Sequence, residues 1–346
     1  MKKNPVSESG AFRLRVLLAF VFCSIGILIM LVGFGAFTGS SALAQGSGAK
    51  GGVEIATKPT ITAISSYKND VSPALTDMPL WPVNFRESEH EANLNPLMLI
   101  DHVDMPDPVI QNARISALAL LAPNIPAPIN NFDGIPSPGV VCNCSPPDTN
   151  GAVGATQYVQ MVNEGIQVFN KVTGASVFGP VAINSIWAGF GGVCESGNSG
   201  DPIVMYDRIS NRWVISQFRP GTGFTVPTDE CIAVSTTSDA TGTWNRYGFH
   251  ISTGNFMDYP HMGVWPDAYY FAFNVFNSSG TARLGPQAFA FDRAKMIAGL
   301  PATAIAGPLG ANTQTYYLPA DLDGPNLPPA GAPCPFVSSP AAGPTR

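Results

Sequence analysis

Four aspartates recur at nearly even intervals in the second half of the chain. Asp148, Asp201, Asp258 and Asp321 are separated by 53, 57 and 63 residues, and an aromatic, strand-like segment follows each of the first three. A repeat of about 50–60 residues made of four short antiparallel strands is typical of a β-propeller blade. Such a blade cannot bury both of its faces alone, so it has to pack against neighbouring blades around a shared axis.

The segments between these aspartates have the pattern of short strands joined by tight turns. Apolar runs such as "QYVQMV", "RWVISQF" and "AYYFAFNVF" alternate with turns that contain Gly, Asn, Asp or Pro. The composition agrees, since Gly (35 residues) and Pro (32) are frequent and only 12% of the residues are charged. We therefore predict an all-β protein, a β-propeller with four-stranded antiparallel blades.

About three and a half blades fit into residues 130–346. Three complete blades are predicted at 146–198, 199–256 and 257–318, and a fourth begins near Pro319. Propellers close with about four to eight blades, so this number indicates an incomplete propeller and a chain truncated at its C-terminus. The alternative is an antiparallel β-sandwich in which the spacing of the aspartates is a coincidence.

The first 44 residues have the pattern of a signal peptide. Basic residues precede an almost wholly apolar stretch at 16–37, and small residues at Ala42 and Ala44 predict cleavage between Ala44 and Gln45. We therefore expect a secreted, periplasmic or cell-surface protein. The alternative is an inner-membrane anchor, because an apolar run of about 20 residues is long enough to span a bilayer.

Residues 45–129 show little periodicity and include a linker-like "GSGAKGG" and a Pro-rich stretch. We predict an N-terminal extension here that either has low order or lies as a strap over the following domain. The formal net charge of the chain is −6, and no basic patch follows the N-terminus. No nucleic-acid partner is therefore expected, and membrane contact would require an uncleaved N-terminal segment.

Five of the six cysteines follow the predicted signal peptide, and an exported chain can oxidise them. Cys194 and Cys231 flank one predicted blade, so we pair them in a disulfide. Cys142 and Cys144 are separated by one residue, a spacing that strains an internal bridge, so each is expected to have a distant partner or to stay free. With Cys334 the number is odd, which leaves one thiol over or requires a partner outside this chain.

One turn sequence, "TSDATGTW", resembles the Asp-box of sialidase-like propellers, a Ser/Thr-x-Asp-x-Gly-x-Thr-Trp pattern. The matching residues are Thr237, Asp239, Thr243 and Trp244. Gly242 lies one place later than in the pattern. In that family the motif is a structural turn between two strands, so the resemblance implies that Asp239 caps backbone N–H groups and that Trp244 packs between sheets.

Two further resemblances are broader. The segments "GDPIVMYDRISNRWVISQF" and "DYPHMGVWPDAYYFAFN" look like parts of large exported bacterial proteins that carry a propeller, which implies the fold and export but no activity. Arabinanase- and xylosidase-type glycoside hydrolases with five blades also begin blades with Asp-Pro and contain a Tyr-Tyr strand. In those enzymes two aspartates and an acidic glutamate meet at the axis, which would match Asp201 and Asp258 and leave Glu164 as the candidate acid.

If the repeated aspartates start equivalent strands, their carboxylates ring the central opening. Crowded carboxylates raise one another's pKa or share a cation, which is the basis of both a paired-carboxylate hydrolase and a calcium site. The candidate catalytic residues are Asp201, Asp258 and Glu164. The sequences "DTNG" and "DLDG" resemble the first half of a calcium loop, and the candidate ligands are Asp148, Asn150, Asp321 and Asp323. The simplest alternative is that each aspartate bonds the backbone of its own turn.

These patterns favour an exported, non-catalytic β-propeller that binds a protein or a glycan outside the cytoplasm. No cofactor is expected, apart from calcium if the acidic loops hold it. One alternative is a glycoside hydrolase or sialidase-like enzyme with a carboxylate site on the axis. Another is a structural adhesin or surface module of a longer protein. A Glu or His close to the aspartates would favour the enzyme.

Overall fold

The computed structural model describes residues 61–81, 128–136, 147–198, 200–221 and 225–338. The predicted signal peptide, with its cleavage site between Ala44 and Gln45, lies outside these ranges, as do Cys142 and Cys144. Within these ranges, no helix has both the length and the apolar character needed to cross a membrane.

In the described residues 61–81, two short strands and one helical turn precede the predicted repeats. They are β1 (Thr62–Ser65), β2 (Lys68–Val71) and the 3-10 turn η1 (Leu75–Asp77).

The first predicted repeat forms a four-stranded antiparallel sheet, sheet I, whose strands pair in chain order. Its strands are β3 (Asn150–Val153), β4 (Gln157–Val162), β5 (Gly165–Asn170) and β6 (Ser176–Ala182). The turn "NEG" joins β4 to β5 as predicted. Two short helices then lead to the next sheet, η2 (Ile183–Trp187) and α1 (Gly192–Ser196).

The second and third repeats also form antiparallel sheets in chain order, and each gains a fifth strand from the N-terminal side. Sheet II contains β7 (Ile203–Asp207), β8 (Arg212–Gly221), β9 (Thr225–Ser235) and β10 (Trp244–Ser252). Sheet III contains β11 (Phe256–Val264), β12 (Ala268–Phe276), β13 (Arg283–Asp292) and β14 (Thr303–Leu309), with the helix α2 (Arg293–Ile297) before β14. β2 pairs with β10, and β1 pairs with β14.

A two-stranded sheet, sheet IV, follows sheet III and consists of β15 (Leu318–Pro319) and β16 (Phe336–Val337). The prediction of an all-β protein built from antiparallel sheets is thus confirmed, and the described sheets have two, four or five strands without closing into a barrel.

Sheet II is buried on both faces because consecutive residues of its strands enter different hydrophobic clusters. Trp213 and Ile215 of β8 pack with side chains of sheet I, whereas Val214 between them packs with side chains of sheet III. In β9, Cys231 likewise packs with side chains of sheet I, and Ile232 packs with side chains of sheet III. Successive side chains of a strand point to opposite faces of the sheet. A strand that is covered on both faces therefore has a continuous run of apolar residues in its sequence.

A buried ion pair joins sheets II and III. The guanidinium of Arg293 donates to both carboxylate oxygens of Asp207, with N···O distances of 2.7 and 3.1 Å, and the Tyr269 hydroxyl donates to the same carboxylate at 2.9 Å. Burial alone would raise the pKa of Asp207, but the hydrogen bonds from Arg293 and Ser210 hold it below its usual range. Asp207 is therefore an ionised group that fixes the contact between two sheets.

The N-terminal strands are held by a second ion pair. Arg246 of β10 donates to both oxygens of Asp70 at 2.8 Å, and its other terminal nitrogen donates to the carbonyls of Ile186 and Ala188. Arg246 is almost fully buried. Because a bidentate pair of this kind fixes both position and orientation, it attaches β2 to sheet II and to the segment after sheet I.

Candidate functional site

The first strands of sheets I, II and III and the strand β15 line one open groove of about 890 Å³, which we call the first-strand groove. β3 lies beside β7, β7 beside β11, and β11 beside β15. Parts of the chain that are far apart in sequence therefore meet here. The polar and aromatic lining includes Asp148, Asn150, Asp201, Tyr206, Arg208, Tyr259, His261, Asp321 and Asp323.

A residue with left-handed backbone geometry lies two positions before the first strand in sheets I and II, and inside the first strand, at a break in its register, in sheet III. The φ angles are 39° at Asp148, 42° at Asp201 and 47° at Tyr259. Asp tolerates this region comparatively well, whereas a bulky Tyr there is unusual. The equivalent position in sheet III is thus Tyr259 and not Asp258, which lies one residue earlier and pairs with Asn274 of β12.

Asn163 connects the first two of these positions. Its Nδ2 donates to Oδ2 of Asp148, and its Oδ1 accepts the backbone N–H of Asp201, both at 2.8 Å. Gly200 precedes Asp201 with φ 86°, and a Cβ at this position would lie 2.6 Å from Oδ1 of Asn163. Only glycine fits there, and the bonds of Asn163 fix the backbone that carries the two carboxylates.

Two further aspartates enter the groove after β15. Oδ1 of Asp321 accepts the backbone N–H of Val264 at 2.8 Å. Burial raises the pKa of Asp321, the neighbouring Asp323 carboxylate raises it further, and the N–H groups of Val264 and Leu322 offset part of the rise. The guanidinium of Arg208 donates to the backbone carbonyl of Asp323. Asp321 therefore holds a proton more strongly than an isolated carboxyl group does.

The rings of Tyr259 and His261 line the same groove as these carboxylates. The ring of Tyr259 meets that of His261 edge-on, with centroids 5.1 Å apart, and His261 meets Tyr316 in the same way at 6.0 Å. The side chain of Tyr259 is 42% exposed. Burial lowers the pKa of His261, so its imidazole is neutral near pH 7. The groove thus presents an exposed aromatic face next to hydrogen-bonding groups.

The three candidate catalytic residues do not meet in the groove. Asp201 lines it, whereas Asp258 and Glu164 are not among the lining residues. Glu164 lies in the turn between β4 and β5, where it is 2% exposed and its backbone carbonyl accepts hydrogen bonds from Asn198 and Ile183. Of the two residue types expected to favour an enzyme, the groove contains His261 and no glutamate.

The four candidate calcium ligands all line the groove. Oδ1 of Asn150 accepts the N–H of Val204 at 2.8 Å, so this oxygen already bonds the backbone of sheet II. Among the residues that the structure describes, no group of three or more His, Cys, Asp or Glu side chains has an arrangement that would hold a metal ion. Calcium binding at Asp148, Asn150, Asp321 and Asp323 stays a prediction.

The predicted disulfide is present. Cys194 of α1 and Cys231 of β9 are bonded, with an S–S distance of 2.07 Å, and both are fully buried. The bridge connects the segment after sheet I to the centre of sheet II. Cys334 is a free, half-buried thiol, and burial raises its pKa to about 11.

The turn that resembles an Asp-box joins β9 to β10. Oδ1 of Asp239 accepts the backbone N–H of Thr241 at 2.9 Å, and Trp244 is buried in the cluster between sheets I and II. The Thr236 and Thr243 hydroxyls are 2.5 Å apart across the hairpin. These contacts are those that a tight turn requires, and the sialidase-like resemblance of the whole chain stays a prediction.

Comparisons of this chain with models of protein families, with curated proteins and with solved structures found no match.

Proposed function

We propose that sheets I, II and III are three blades of a β-propeller, that sheet IV begins a fourth, and that the first-strand groove binds a glycan outside the cytoplasm without catalysis. The observation that carries this proposal is the groove itself, because the first strand of every repeat contributes to one lining. Ligand sites in repeat proteins of this kind form where equivalent strands or loops converge.

The order of the strands supports the propeller. In a propeller, the first strand of each blade lies at the axis beside the first strands of its neighbours, and the blades stack face to face. Here the first strands are neighbours in the order β3, β7, β11 and β15, and sheet II has hydrophobic clusters on both faces. A two-sheet sandwich would leave sheet II covered on one face only.

The lining of the groove supports a glycan over a protein as the ligand. Aromatic faces such as that of Tyr259 stack against the apolar faces of pyranose rings, and carboxylates accept hydrogen bonds from sugar hydroxyls. Both kinds of group lie together in an open groove. A flat protein interface would instead require an extended apolar patch with a polar rim.

Export is supported by the disulfide and the N-terminal pattern. A buried disulfide persists in oxidising compartments such as the periplasm or the extracellular space. Mass spectrometry of the protein expressed from its full sequence should find a mature chain that begins at Gln45. A chain retained with its first 44 residues intact would contradict cleavage and favour the anchored alternative.

Glycan binding can be tested with the purified chain on an array of neutral, amino and acidic oligosaccharides, followed by titration calorimetry. We expect Asp201→Asn and Tyr259→Asn to weaken the binding of any glycan that the array identifies, because both substitutions change the lining of the groove. Asn is chosen because it tolerates the left-handed backbone geometry of both positions. Asp133→Asn, at an exposed position outside the groove, is the matched control. Binding that survives both groove variants unchanged would refute the proposal.

A glycoside hydrolase is the second candidate, and Asp321 with Asp323 favours it. Two neighbouring carboxyl groups, one of which has a raised pKa, are the arrangement in which one can act as a general acid and the other as a base or nucleophile. If the chain hydrolyses aryl glycosides, Asp321→Asn should reduce the rate by at least about a hundredfold, as loss of a general acid does. Hydrolysis that is unaffected by this substitution, or absent over a panel of aryl glycosides, would exclude this candidate.

A further inference from the structure

The charged side chains that line the first-strand groove are strongly biased in sign. Four carboxylates, from Asp148, Asp201, Asp321 and Asp323, lie in the same lining as one guanidinium, that of Arg208. Arg208 is exposed and donates to a backbone carbonyl in the groove. Four aspartates and one arginine give the lining a formal charge of −3. A cleft lined by one sign of charge attracts ligands of the opposite sign and repels those of its own sign.

The aromatic part of the lining favours ligands that carry a sugar ring or a positive charge. The exposed face of Tyr259 attracts both the C–H groups of a sugar ring and a nearby cation, since an aromatic face is negative in its quadrupole. His261, whose ring touches Tyr259 edge-on at 5.1 Å, adds no positive charge near pH 7 because burial lowers its pKa. The aromatic side of the groove therefore does not offset the charge of the carboxylates.

We propose that the first-strand groove selects amino sugars with free ammonium groups over N-acetylated and acidic sugars. This inference rests on the proposed glycan-binding function and adds the class of ligand to it. An ammonium group on a pyranose ring satisfies the carboxylates while the ring itself covers Tyr259. A lysine-rich peptide offers the same charge but no flat ring face, and a sugar acid meets like charges in the groove.

The test is calorimetric titration of the purified chain with four tetramers: glucosamine, N-acetylglucosamine, galacturonic acid and lysine. In about 50 mM salt, we expect the glucosamine tetramer to bind at least about fivefold more tightly than the N-acetylated one, as for one or two partly exposed ion pairs. The galacturonic acid tetramer should bind more weakly than both. In about 500 mM salt, screening should remove most of the difference.

Substitutions at two positions distinguish the contribution of the carboxylate charge to the affinity from that of the aromatic ring. Asp201→Asn should lower the affinity for the glucosamine tetramer by a larger factor than that for the N-acetylated tetramer. Tyr259→Asn should lower both affinities together, whereas Tyr259→Phe keeps the ring and should preserve both. Circular dichroism of each variant confirms that it is folded.

Three other outcomes would each refute a different part of the proposal. If the N-acetylated or acidic tetramer binds as tightly as the glucosamine tetramer, the selection for ammonium groups is refuted while glycan binding stands. If the lysine tetramer binds as tightly as the glucosamine tetramer, the requirement for a sugar ring is refuted. If no glycan tetramer binds and none on the array does, the proposed function fails as well.

Discussion

Glu230 gives the protein a dependence of stability on pH that a single substitution should remove. Glu230 lies on β9, fully buried, on the face that Ile232 shares and opposite Phe249 of β10. Neither of its carboxylate oxygens makes a hydrogen bond of ordinary length within the described chain. Burial raises its pKa to about 8, the neighbouring Asp229 adds to the rise, and the Ser216 hydroxyl offsets only part of it.

The sign and size of the effect follow from proton linkage. Below about pH 4.5, the usual pKa of this side chain, Glu230 is protonated in both the folded and the unfolded chain and costs nothing. Between this pH and about 8, the unfolded chain releases the proton while the folded chain keeps it, so stability falls as the pH rises. The slope is at most about 1.4 kcal/mol per pH unit, and the whole interval amounts to about 5 kcal/mol at most.

The substitution Glu230→Gln keeps the size of the side chain and removes its charge. We expect its free energy of unfolding in urea to be close to that of the unmodified chain at about pH 4 and to exceed it by several kcal/mol at about pH 8. Asp133→Asn, at an exposed carboxylate, is the control and should shift neither value. A difference between the two chains that stays constant from about pH 4 to about pH 8 would refute the argument, because other titrating groups cancel in the comparison.

Three further substitutions test the contacts that hold the sheets. Asp207→Asn leaves the charge of Arg293 buried and poorly paired, so urea unfolding should show a loss of about 3–5 kcal/mol, and a loss below about 1 kcal/mol would contradict this role. Replacing Cys194 and Cys231 together by Ser should cost about 3–4 kcal/mol, since the bridge closes a separation of 37 residues; equal stability with and without the bridge would argue against it. Gly263→Ala would bring a Cβ within 2.3 Å of the backbone carbonyl of Ala320, next to β15. We therefore expect a melting temperature lower by at least about 4 °C and weaker glycan binding. An unchanged melting temperature would show that β15 can move to accommodate the methyl group.

The strands of sheets I, II and III could be predicted because their signals are local. Apolar alternation and turn residues occur together within each hairpin, as in the β7–β8 turn, where Asp207 accepts the N–H groups of Ile209 and Ser210. β1 and β2 had no such signal. Their sequences, "TAIS" and "KNDV", are largely exposed, and they are stabilised by pairing with the edges of β14 and β10, which lie far along the chain.

Only part of the site could be predicted from the sequence. Aspartates at even intervals along the chain do not necessarily have the same backbone conformation. The interval from Asp201 suggested Asp258, but the left-handed position belongs to Tyr259. A signal for this was present in the sequence, since proline follows both Asp201 and Tyr259 and does not follow Asp258. The positive φ therefore recurs in all three sheets, whereas the side chain that carries it differs.

This distinction separates the carboxylates of the groove into two kinds. Asp148 and Asp201 occupy left-handed positions where a short polar side chain is favoured for conformational reasons, so the fold alone is a sufficient reason for their identity. Asp321 and Asp323 have no such backbone requirement, and the proximity of Asp323 raises the pKa of Asp321, since two neighbouring carboxylates repel each other. An ammonium group bound between the two carboxylates would offset this repulsion. Substituting this second pair by Asn should therefore weaken binding of the glucosamine tetramer while the melting temperature is unchanged or raised.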